Sequence, residues 1–418
     1  MKYVKFYTLG CKVNLYETEA MKQLFRQRGY EVTEGDYADV FVINTCTVTA
    51  VGDKKSRQMI RRAKKHNKNA VVIAAGCYSQ VAPEKVAQLS EVDIIVGTAG
   101  RKNIVDYAEQ YSGEKMNMVS RDIPAVYEEL SSGEQSRTRA TVKIQDGCRS
   151  FCSYCIIPYA RGPLRSRPID DIINEVTQLS AKGYREFVFV GINLAAYYYE
   201  GKRLGDVVDA VCAIDGVSRV RLGSLEPNVF TDKFLETVKN QPKLCPHFHI
   251  SLQSGCTDTL KRMNRHYTAE KYLEFLDKIR AVRPGVNFTT DVMTGFPGET
   301  EEEFKESCET VEKAQFGSIH VFPYSKREGT PAAEMKGQVD EHEKARRAAV
   351  MADIGHRLTQ KRLEGYLGKT VSVLFETEDE GFTPDYVKVR AKGAQPGSLE
   401  NVTVTDICGE TLSGVICE

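Results

Sequence analysis

The chain of 418 residues carries 57 basic and 57 acidic side chains, so its formal net charge is zero and no overall field points to a polyanionic partner. Its length predicts two to four domains with a sizeable core. No apolar run is long enough to span a bilayer, and we expect a cytoplasmic protein without membrane contact. In that compartment disulfides are rare, so twelve cysteines indicate metal or redox chemistry.

Short β-branched runs alternate with helical patterns in the N-terminal third. Strands are predicted at residues 4–9, 39–45, 70–75 and 93–96, and helices at 17–28 and 54–65. This alternation predicts a doubly wound parallel sheet. Cys11, Cys46 and Cys77 each follow one of the first three strands. Because the carboxyl ends of parallel strands share one edge, we expect the three thiols to meet there, against the alternative of three unrelated buried cysteines.

Residues 54–68 contain eight Lys and Arg side chains and no acidic residue. On a helix, Lys54, Arg57, Arg61 and Lys65 share one face. A solvated helix face is the ordinary explanation of such a run. Since the run begins close to Cys46, we predict instead that this face contacts RNA.

A second group of thiols, Cys148, Cys152 and Cys155, has the spacing C-x3-C-x2-C. Loops this short let one metal centre bind all three at little entropic cost, and thiolates suit zinc or an iron–sulfur cluster. A structural zinc ion needs a fourth ligand, yet the first histidine after Cys155 is His247. A four-iron cluster with one open iron is therefore favoured over a three-ligand zinc site.

Strand and helix patterns alternate six times between residues 141 and 324. The predicted strands are 141–145, 186–190, 219–222, 247–252, 287–292 and 318–322, and the helices between them are 169–182, 204–214, 231–240, 269–282 and 301–314. Six β–α repeats predict a partial barrel of the TIM type, with its chemistry at the carboxyl ends of the strands. Cys148 stands at such an end.

The C-terminal part changes to the period of strands after a charged helix predicted at residues 340–363. Strands at 370–375, 386–389, 401–405 and 411–416 predict a small β-barrel. Lys388, Arg390 and Lys392 alternate, so one strand face would carry three positive charges. Because residues 365–418 contain nine acidic and four basic side chains, only this local face could bind RNA.

The loop around Cys148, with the sequence VKIQDG before the first cysteine and IIPYARG after the last, resembles the radical S-adenosylmethionine methylthiotransferases. The sequences TLGCKVN at Cys11, INTC at Cys46 and AGC at Cys77 resemble the same family, and the resemblance covers nearly the whole chain. It implies two [4Fe–4S] clusters and makes the six cysteines catalytic. Cys148, Cys152 and Cys155 would hold the cluster that cleaves S-adenosylmethionine to a 5′-deoxyadenosyl radical, and Cys11, Cys46 and Cys77 the auxiliary cluster that supplies sulfur.

The resemblance also implies that S-adenosylmethionine lies across the strand ends of the barrel. Its expected contacts are Tyr154, Asn193, Ser224, Glu226, Gln253, Arg265, Gly295 and Gly298. Three arginines downstream of the loop, Arg161, Arg165 and Arg167, suit phosphate recognition and are predicted to contact RNA, with ordinary surface arginines as the alternative. The expected partners are tRNA, a reducing electron donor and a sulfur source.

Within the family, the motifs at Cys11 and before Cys148 look like the enzymes that act at C2 of N6-threonylcarbamoyladenosine beside the anticodon, giving its 2-methylthio derivative. The open alternatives are the enzymes that modify a ribosomal protein or isopentenyladenosine and, from another class, a zinc-bearing RNA-binding protein. The polar, weakly periodic residues 109–139 predict a linker with a hairpin or short helix. The expected α/β domains are residues 1–130, a radical S-adenosylmethionine barrel at 140–335, a helical connector at 336–364 and a TRAM-like barrel at 365–418.

Overall fold

The computed structural model describes residues 1–417, and its N-terminal part is a six-stranded parallel sheet in the order β2-β1-β3-β4-β5-β6. Its elements are β1 (Lys2–Thr8), α1 (Lys12–Gln27), β2 (Tyr30–Val32), β3 (Val40–Thr45), α2 (Ala50–His66), β4 (Val71–Gly76), α3 (Cys77–Val81), α4 (Pro83–Ala87), β5 (Ile94–Val96), α5 (Ile104–Gln110) and β6 (Met116–Asn117). Strand β3 is buried along its whole length, as expected for a strand with a hydrophobic cluster on each face of the sheet. The predicted doubly wound sheet is confirmed.

The segment after α5 differs from the prediction of a linker with a hairpin or short helix. Met116 and Asn117 pair in parallel with Ile94 and Ile95, so this stretch adds a sixth strand to the sheet. The irregular stretch that follows packs between the first two parts of the molecule. There Leu130 is buried and its carbonyl accepts a hydrogen bond from Tyr16.

The central part is an open barrel of parallel strands with helices outside. Its elements are β7 (Ala140–Lys143), β8 (Gln145–Asp146), α6 (Ile157–Arg161), β9 (Arg165–Ser166), α7 (Ile169–Ala181), β10 (Glu186–Val190), β11 (Tyr198–Tyr199), β12 (Lys202–Arg203), α8 (Leu204–Cys212), β13 (Arg219–Leu222), β14 (Ser224–Leu225), α9 (Asp232–Asn240), β15 (His247–Ile250), α10 (Thr257–Arg262), α11 (Ala269–Val282), β16 (Asn287–Thr294), α12 (Glu301–Ala314), β17 (Ser318–Pro323) and α13 (Pro331–Glu334). The pairings β7-β10-β13 and β14-β15-β16-β17 give the six predicted barrel strands, because β13 and β14 are separated only by Gly223.

Local capping explains why the outer helices begin close to their predicted positions. Thr231, Thr268 and Thr300 each accept a backbone N–H from three residues ahead, which satisfies a donor that the first helical turn leaves free. At Thr300 the side chain of Glu303 returns the bond to the Thr300 N–H and completes a capping box.

The C-terminal part consists of the long helix α14 (Glu341–Glu364) and a closed barrel in the order β18-β19-β20-β22-β21. The barrel strands are β18 (Thr370–Phe375), β19 (Glu380–Phe382), β20 (Lys388–Arg390), β21 (Leu399–Cys408) and β22 (Thr411–Ile416). Arg219 donates to the carbonyls of Phe382 and Ser372, and Asn287 donates to that of Asp385. These bonds dock the small barrel on the amino-terminal ends of the central strands.

The six cysteines outside the two thiol groups are scattered along the sequence, which predicts that they are packing residues. Cys212, Cys245 and Cys256 are buried and fit that prediction, and Cys308 is half-buried. Cys408 and Cys417 are exposed on β21 and after β22, so for these two the prediction is wrong, because alternate residues of a barrel strand face solvent. Within residues 1–417 no helix combines the length and apolarity needed to cross a membrane.

Candidate functional site

The first three-thiol site is built by one loop after β8. Gly147 has a φ of +73°, and a Cβ there would lie 1.8 Å from the Pro163 carbonyl oxygen, so only glycine fits where the loop passes residues 162–163. The N–H of Cys155 donates to the carbonyl of Cys152 at 2.9 Å, and the N–H of Ser153 donates to that of Met263 at 3.0 Å. The loop therefore holds Cys148, Cys152 and Cys155 at the carboxyl end of the barrel, as predicted.

A buried guanidinium supports this site. Arg265 donates to Cys152 Sγ at 3.3 Å and to Glu226 Oε1 at 3.1 Å. Burial raises the pKa of the Cys152 thiol, which Arg265 opposes, and burial raises the pKa of Cys155 to about 12. Because thiolates are the metal-binding form, these buried sulfurs need a cationic centre to be ionised, and the donor set fits an iron–sulfur cluster.

The second three-thiol site is assembled by three neighbouring strands of the N-terminal sheet. Cys11, Cys46 and Cys77 follow β1, β3 and β4, which are adjacent in the sheet. Gly10 has a φ of +97°, and a Cβ there would lie 2.8 Å from Cys46 Sγ, so Cys46 can pack against residue 10, next to Cys11, only because that residue is glycine. The expected meeting of the three strand ends is thus what the fold provides.

Asn14 and Arg161 hold the second site together. The Asn14 amide donates to the carbonyls of Leu9 and Thr45 at 2.7 and 3.1 Å, which ties the ends of β1 and β3. Arg161 donates to Asn14 Oδ1 at 2.6 Å and to Cys77 Sγ at 3.2 Å. Burial raises the pKa of Cys77 to about 11 although Arg161 opposes the shift. Each thiol site therefore contains one cysteine that accepts a hydrogen bond from a buried arginine.

The positions of the possible metal ligands can be compared with those that a zinc site would need. Among residues 1–417, no three Cys, His, Asp or Glu side chains lie close enough together to bind one metal ion, and this includes both cysteine sets. A four-iron cluster makes a different demand, because each thiolate binds a separate iron. His247, the first histidine after Cys155, lies at the opposite, amino-terminal end of β15. Three cysteines without a fourth ligand fit a four-iron cluster that keeps one iron open to another molecule.

Individual polar atoms without a protein partner lie around the first thiol site. Asn193 Oδ1, Thr294 Oγ1 and one Nη of Arg265 are buried and form no hydrogen bond with any described residue. Because such atoms are costly to bury without a partner, they fit a polar ligand at this end of the barrel. Gln253 has a φ of +67°, Ser224 is exposed, and Glu226 is held by Arg265. These residues could hold S-adenosylmethionine.

Tyr154, Gly295 and Gly298, three further predicted contacts of S-adenosylmethionine, already contact other parts of the protein. Tyr154 packs edge-on against Phe296 with ring centroids 6.4 Å apart. A Cβ on Gly295 would lie 2.4 Å from Lys344 Cγ, and the Gly298 N–H donates to the Gly337 carbonyl at 2.8 Å. Internal packing therefore already explains both glycines, and their contact with S-adenosylmethionine stays a prediction.

The predicted RNA contact of Arg161, Arg165 and Arg167 does not agree with the structure. All three are buried: Arg165 pairs with Asp146 at 3.2 Å, and Arg167 pairs with Glu175. Buried guanidiniums with carboxylate partners have no free face for a phosphate. The pattern of three arginines in seven residues instead reflects the joint between the first two parts of the molecule.

That joint centres on Glu17 of α1, which the sequence did not single out. Glu17 is fully buried and contacts Arg101, Arg161 and Lys143, the last at 2.7 Å. Burial raises the pKa of Glu17, but Arg101, Arg161 and Lys143 outweigh it and bring the pKa to about 2. A lone Glu in a helix carries no signal of this role, although the charges in VKIQDG could have suggested a partner.

The two surfaces predicted to bind RNA differ in how many of their Lys and Arg side chains are paired with carboxylates. On α2, Lys54, Arg61 and Lys65 are exposed, and Arg57 donates to the Tyr78 hydroxyl at 3.1 Å. On the C-terminal barrel, Glu380 pairs with Lys388 at 2.8 Å and with Arg390. Lys392 lies past the end of β20 and is exposed. The helix thus presents more uncompensated charge than the strand.

A cavity of about 1060 Å³ runs from Cys11 of the sheet site through the central barrel to the small C-terminal barrel. At one end it is lined by Cys11 and by Ile157, which follows Cys155 by two positions, and at the other by Tyr386 and Arg362. His249 and His320 face Asp291 in its wall at 3.2 and 3.4 Å. The cavity is large enough for a nucleoside with a bulky substituent, and it reaches the auxiliary thiol site directly.

Comparison with known proteins adds independent observations. Residues 142–311 match the Radical SAM superfamily, and residues 3–97 match the uncharacterized protein family UPF0004. The threonylcarbamoyladenosine tRNA methylthiotransferase MtaB of Bacillus subtilis is 44% identical over 94% of this chain and 91% of its own length. The enzyme of that name from Thermotoga maritima is 36% identical over 98% and 96%. The tRNA-2-methylthio-N(6)-dimethylallyladenosine synthase of Geobacillus kaustophilus is 36% identical over 98% and 82%.

Solved structures resemble the fold at low sequence identity. The radical S-adenosylmethionine methyltransferase TsrM of Kitasatospora setae has a TM-score of 0.57 at 14% identity and covers 80% of this chain and 75% of its own. The cobalamin-dependent radical enzyme OxsB has a TM-score of 0.53 at 11% identity, over 85% of this chain and 56% of its own. These similarities concern the arrangement of a sheet domain and a partial barrel.

Proposed function

The chain belongs to the radical S-adenosylmethionine tRNA methylthiotransferases, and on this premise we propose that it inserts a methylthio group at C2 of N6-threonylcarbamoyladenosine beside the anticodon of tRNA. The observation that carries the proposal is the presence of two three-cysteine sites, one at strand ends of the sheet and one at a strand end of the barrel, beside a cavity that Cys11 lines. The identity of 44% to a threonylcarbamoyladenosine enzyme, against 36% to a dimethylallyladenosine enzyme, supports the substrate.

In this proposal each set of residues has one task. Cys148, Cys152 and Cys155 hold one [4Fe–4S] cluster, and Cys11, Cys46 and Cys77 hold the other. Asn193, Ser224, Glu226, Gln253 and Arg265 orient S-adenosylmethionine between them. When bound, the clusters and the cofactor supply the radical, the sulfur and the methyl group. The walls of the cavity hold the nucleobase near both sites and keep water away from the reacting carbon.

Further partners follow from this chemistry. Reductive cleavage of S-adenosylmethionine needs an electron donor, and replacement of the transferred sulfur needs a sulfur source. The exposed cations of α2 lie on the helix that follows Cys46 and would contact the tRNA backbone beside the auxiliary site. We place this reaction in the cytoplasm, where tRNA is processed, and assign the expected domain limits near residues 130, 140, 335 and 365.

Nucleoside mass spectrometry of tRNA from a strain that lacks the gene tests the proposal. The 2-methylthio derivative of N6-threonylcarbamoyladenosine should disappear while its precursor accumulates. The wild-type gene should restore the product, whereas Cys148→Ala and Cys46→Ala variants should not. Loss of 2-methylthio-dimethylallyladenosine instead would establish the dimethylallyladenosine activity, and loss of a modification on a ribosomal protein would establish the third member of the family.

A further inference from the structure

The proposed substrate differs from dimethylallyladenosine in the charge of its N6 substituent, and side chains of the cavity can distinguish the two by that charge. The threonylcarbamoyl group on N6 ends in a carboxylate, whereas the dimethylallyl group is apolar and uncharged. An enzyme gains discrimination when a buried polar group is satisfied by one substrate and left unpaired by the other. The inference below rests on the proposed function and concerns the cation that would meet this carboxylate.

Lys12 is the candidate because its ammonium faces the cavity without an anionic partner. It follows Cys11 directly, lines the cavity and is accessible from it. Within residues 1–417 no carboxylate lies within 4.0 Å of Lys12 Nζ, and its nearest notable neighbour is the ring of Tyr386, 5.8 Å from the ammonium. Arg137, from the segment before β7, lines the same cavity and is also unpaired among these residues.

The other Lys and Arg side chains of the cavity wall are paired with carboxylates. Arg362 pairs with Asp385 at 2.7 Å, and Lys388 with Glu380 at 2.8 Å. The two acidic residues of the wall are Asp291, which faces two histidines, and Glu410, which faces His356 at 3.3 Å. Because a histidine neutralises a carboxylate only when it is protonated, Asp291 and Glu410 keep negative charge in the wall, and the cations without a carboxylate partner are Lys12 and Arg137.

The surroundings of Tyr386 indicate the electrostatic potential of the cavity wall near Lys12. The guanidiniums of Arg139 and Arg221 lie 5.2 and 4.8 Å from its ring, so three cations surround one phenol. Burial raises the pKa of Tyr386, yet Lys12, Arg139 and Arg221 reverse this and the net shift is downward. Its φ of +68° is rare for a residue with a side chain, and such backbone strain is typical of functional sites. Arg139 and Arg221 pair with Glu376 and Glu186 at 2.7 and 2.6 Å, so Lys12 is the one of these three cations that lacks a carboxylate partner among residues 1–417.

We propose that Lys12, assisted by Arg137, binds the carboxylate of the threonylcarbamoyl substituent and so selects this nucleoside over uncharged N6 derivatives. The ammonium donates to the carboxylate oxygens from the residue beside auxiliary ligand Cys11. The same contact orients the adenine within the cavity, with its substituent toward the C-terminal barrel. Lys12 is a substrate-positioning residue and takes no part in bond making.

The test compares two synthetic anticodon stem-loops that differ only in the carboxylate: one carries N6-threonylcarbamoyladenosine and the other its methyl ester. The cluster-loaded wild-type protein should bind the acid roughly tenfold more tightly than the ester, since a charge-assisted hydrogen bond is lost with the ester. Lys12→Met should bring this ratio close to one, Lys12→Arg should keep most of it, and Arg137→Met should lower it partly.

Lys388→Met is the matched control, because Lys388 lines the same cavity but is paired with Glu380. It should leave the acid-to-ester ratio unchanged even if both affinities fall. An unchanged ratio in Lys12→Met, or no preference in the wild type, overturns the inference. Nucleoside mass spectrometry separates the two proposals: formation of the methylthio product without an acid preference defeats only the role of Lys12, whereas a Lys12-dependent preference without the product defeats only the proposed reaction.

Discussion

The two cysteine sites are built in opposite ways. Cys148, Cys152 and Cys155 come from eight consecutive residues, whose loop is shaped by Gly147 and by a bond from Ser153 to Met263. Cys11, Cys46 and Cys77 are spread over 67 residues and meet only when β1, β3 and β4 have paired. One site needs a loop and the other needs a finished sheet, so their cofactors should respond differently to mutation and to unfolding.

The largest effect is expected from removing one whole thiol set. Changing Cys148, Cys152 and Cys155 to Ala should abolish methylthiolation and leave about half of the iron, because the sheet site keeps its own thiolates. Iron and acid-labile sulfide analysis of the anaerobically purified variant measures this. Loss of all iron from a folded variant would contradict the separation of the sites, and zinc in place of iron would restore the alternative of an RNA-binding zinc protein.

Single cysteine changes should separate the tasks of the two sites. Cys148→Ala should abolish reductive cleavage of S-adenosylmethionine, whereas Cys46→Ala should still release 5′-deoxyadenosine but form no methylthio product. Chromatography of the nucleosides after reduction gives both yields in one experiment. If Cys46→Ala retained its loop cluster and yet failed to cleave the cofactor, the division of labour would be wrong.

Glu17→Gln should weaken the sheet site through the joint beside it. The change leaves Arg101, Arg161 and Lys143 without their shared carboxylate, and breaking such a buried set typically costs about 3–5 kcal/mol in the free energy of unfolding. Because Arg161 also contacts Cys77, the auxiliary iron should be lost at a lower urea concentration than the loop iron. Glu328→Gln, which removes an exposed ion pair with Lys85, should change the urea midpoint far less.

The same residue predicts a pH dependence with a definite sign. The pKa of Glu17 is about 2 in the folded protein against an ordinary 4.5, so its contribution to stability is present above pH 4.5 and is lost as the pH falls toward 2. The free energy of unfolding of Glu17→Gln should therefore decline less steeply than that of the wild type across this range. Parallel curves for the two proteins would show that Glu17 does not titrate in this window.

The smallest effects are expected at the RNA faces. Changing Lys54, Arg61 and Lys65 to Glu should lower tRNA affinity and flatten its dependence on salt, by roughly 0.7 to 0.9 in the logarithmic slope for each lost phosphate contact. Lys239, Lys278 and Lys313 are also exposed, and their change to Glu is the control that alters net charge equally elsewhere. The control variant should keep the wild-type slope.

The C-terminal face should contribute less than α2, since Glu380 already neutralises Lys388 and Arg390. Reversing Lys388, Arg390 and Lys392 to Glu and titrating tRNA at several salt concentrations should flatten the slope by less than the α2 variant does. An unchanged slope and affinity would leave the small barrel without a role in RNA binding.

Much of the fold could be predicted from the sequence because hydrophobic residues repeat with the period of a strand or a helix. Periodicity alone predicted β10 at residues 186–190, α11 at 269–282, α12 at 301–314 and β18 at 370–375, all with the bounds that the structure has. The edge strand β6 was not predicted because two residues are too few to show a hydrophobic period. Their strand conformation depends on pairing with the neighbouring strand β5. The three cysteines of the loop thiol site were equally predictable, because their close spacing in the sequence is enough to identify them.

The sequence by itself determined the order of strands and helices, the two sets of three cysteines and the family, because each of these depends on near neighbours in the chain. Only the tertiary structure decided that Arg161, Arg165 and Arg167 are buried, since their partners Glu17, Asp146 and Glu175 lie up to 144 positions away. It also placed Lys12 opposite Tyr386, 374 positions later in the chain, in a cavity that three separate parts of the molecule enclose. The sequence shows which side chains carry a charge. Whether a charged side chain has an ion-pair partner depends on which distant residues the fold places beside it.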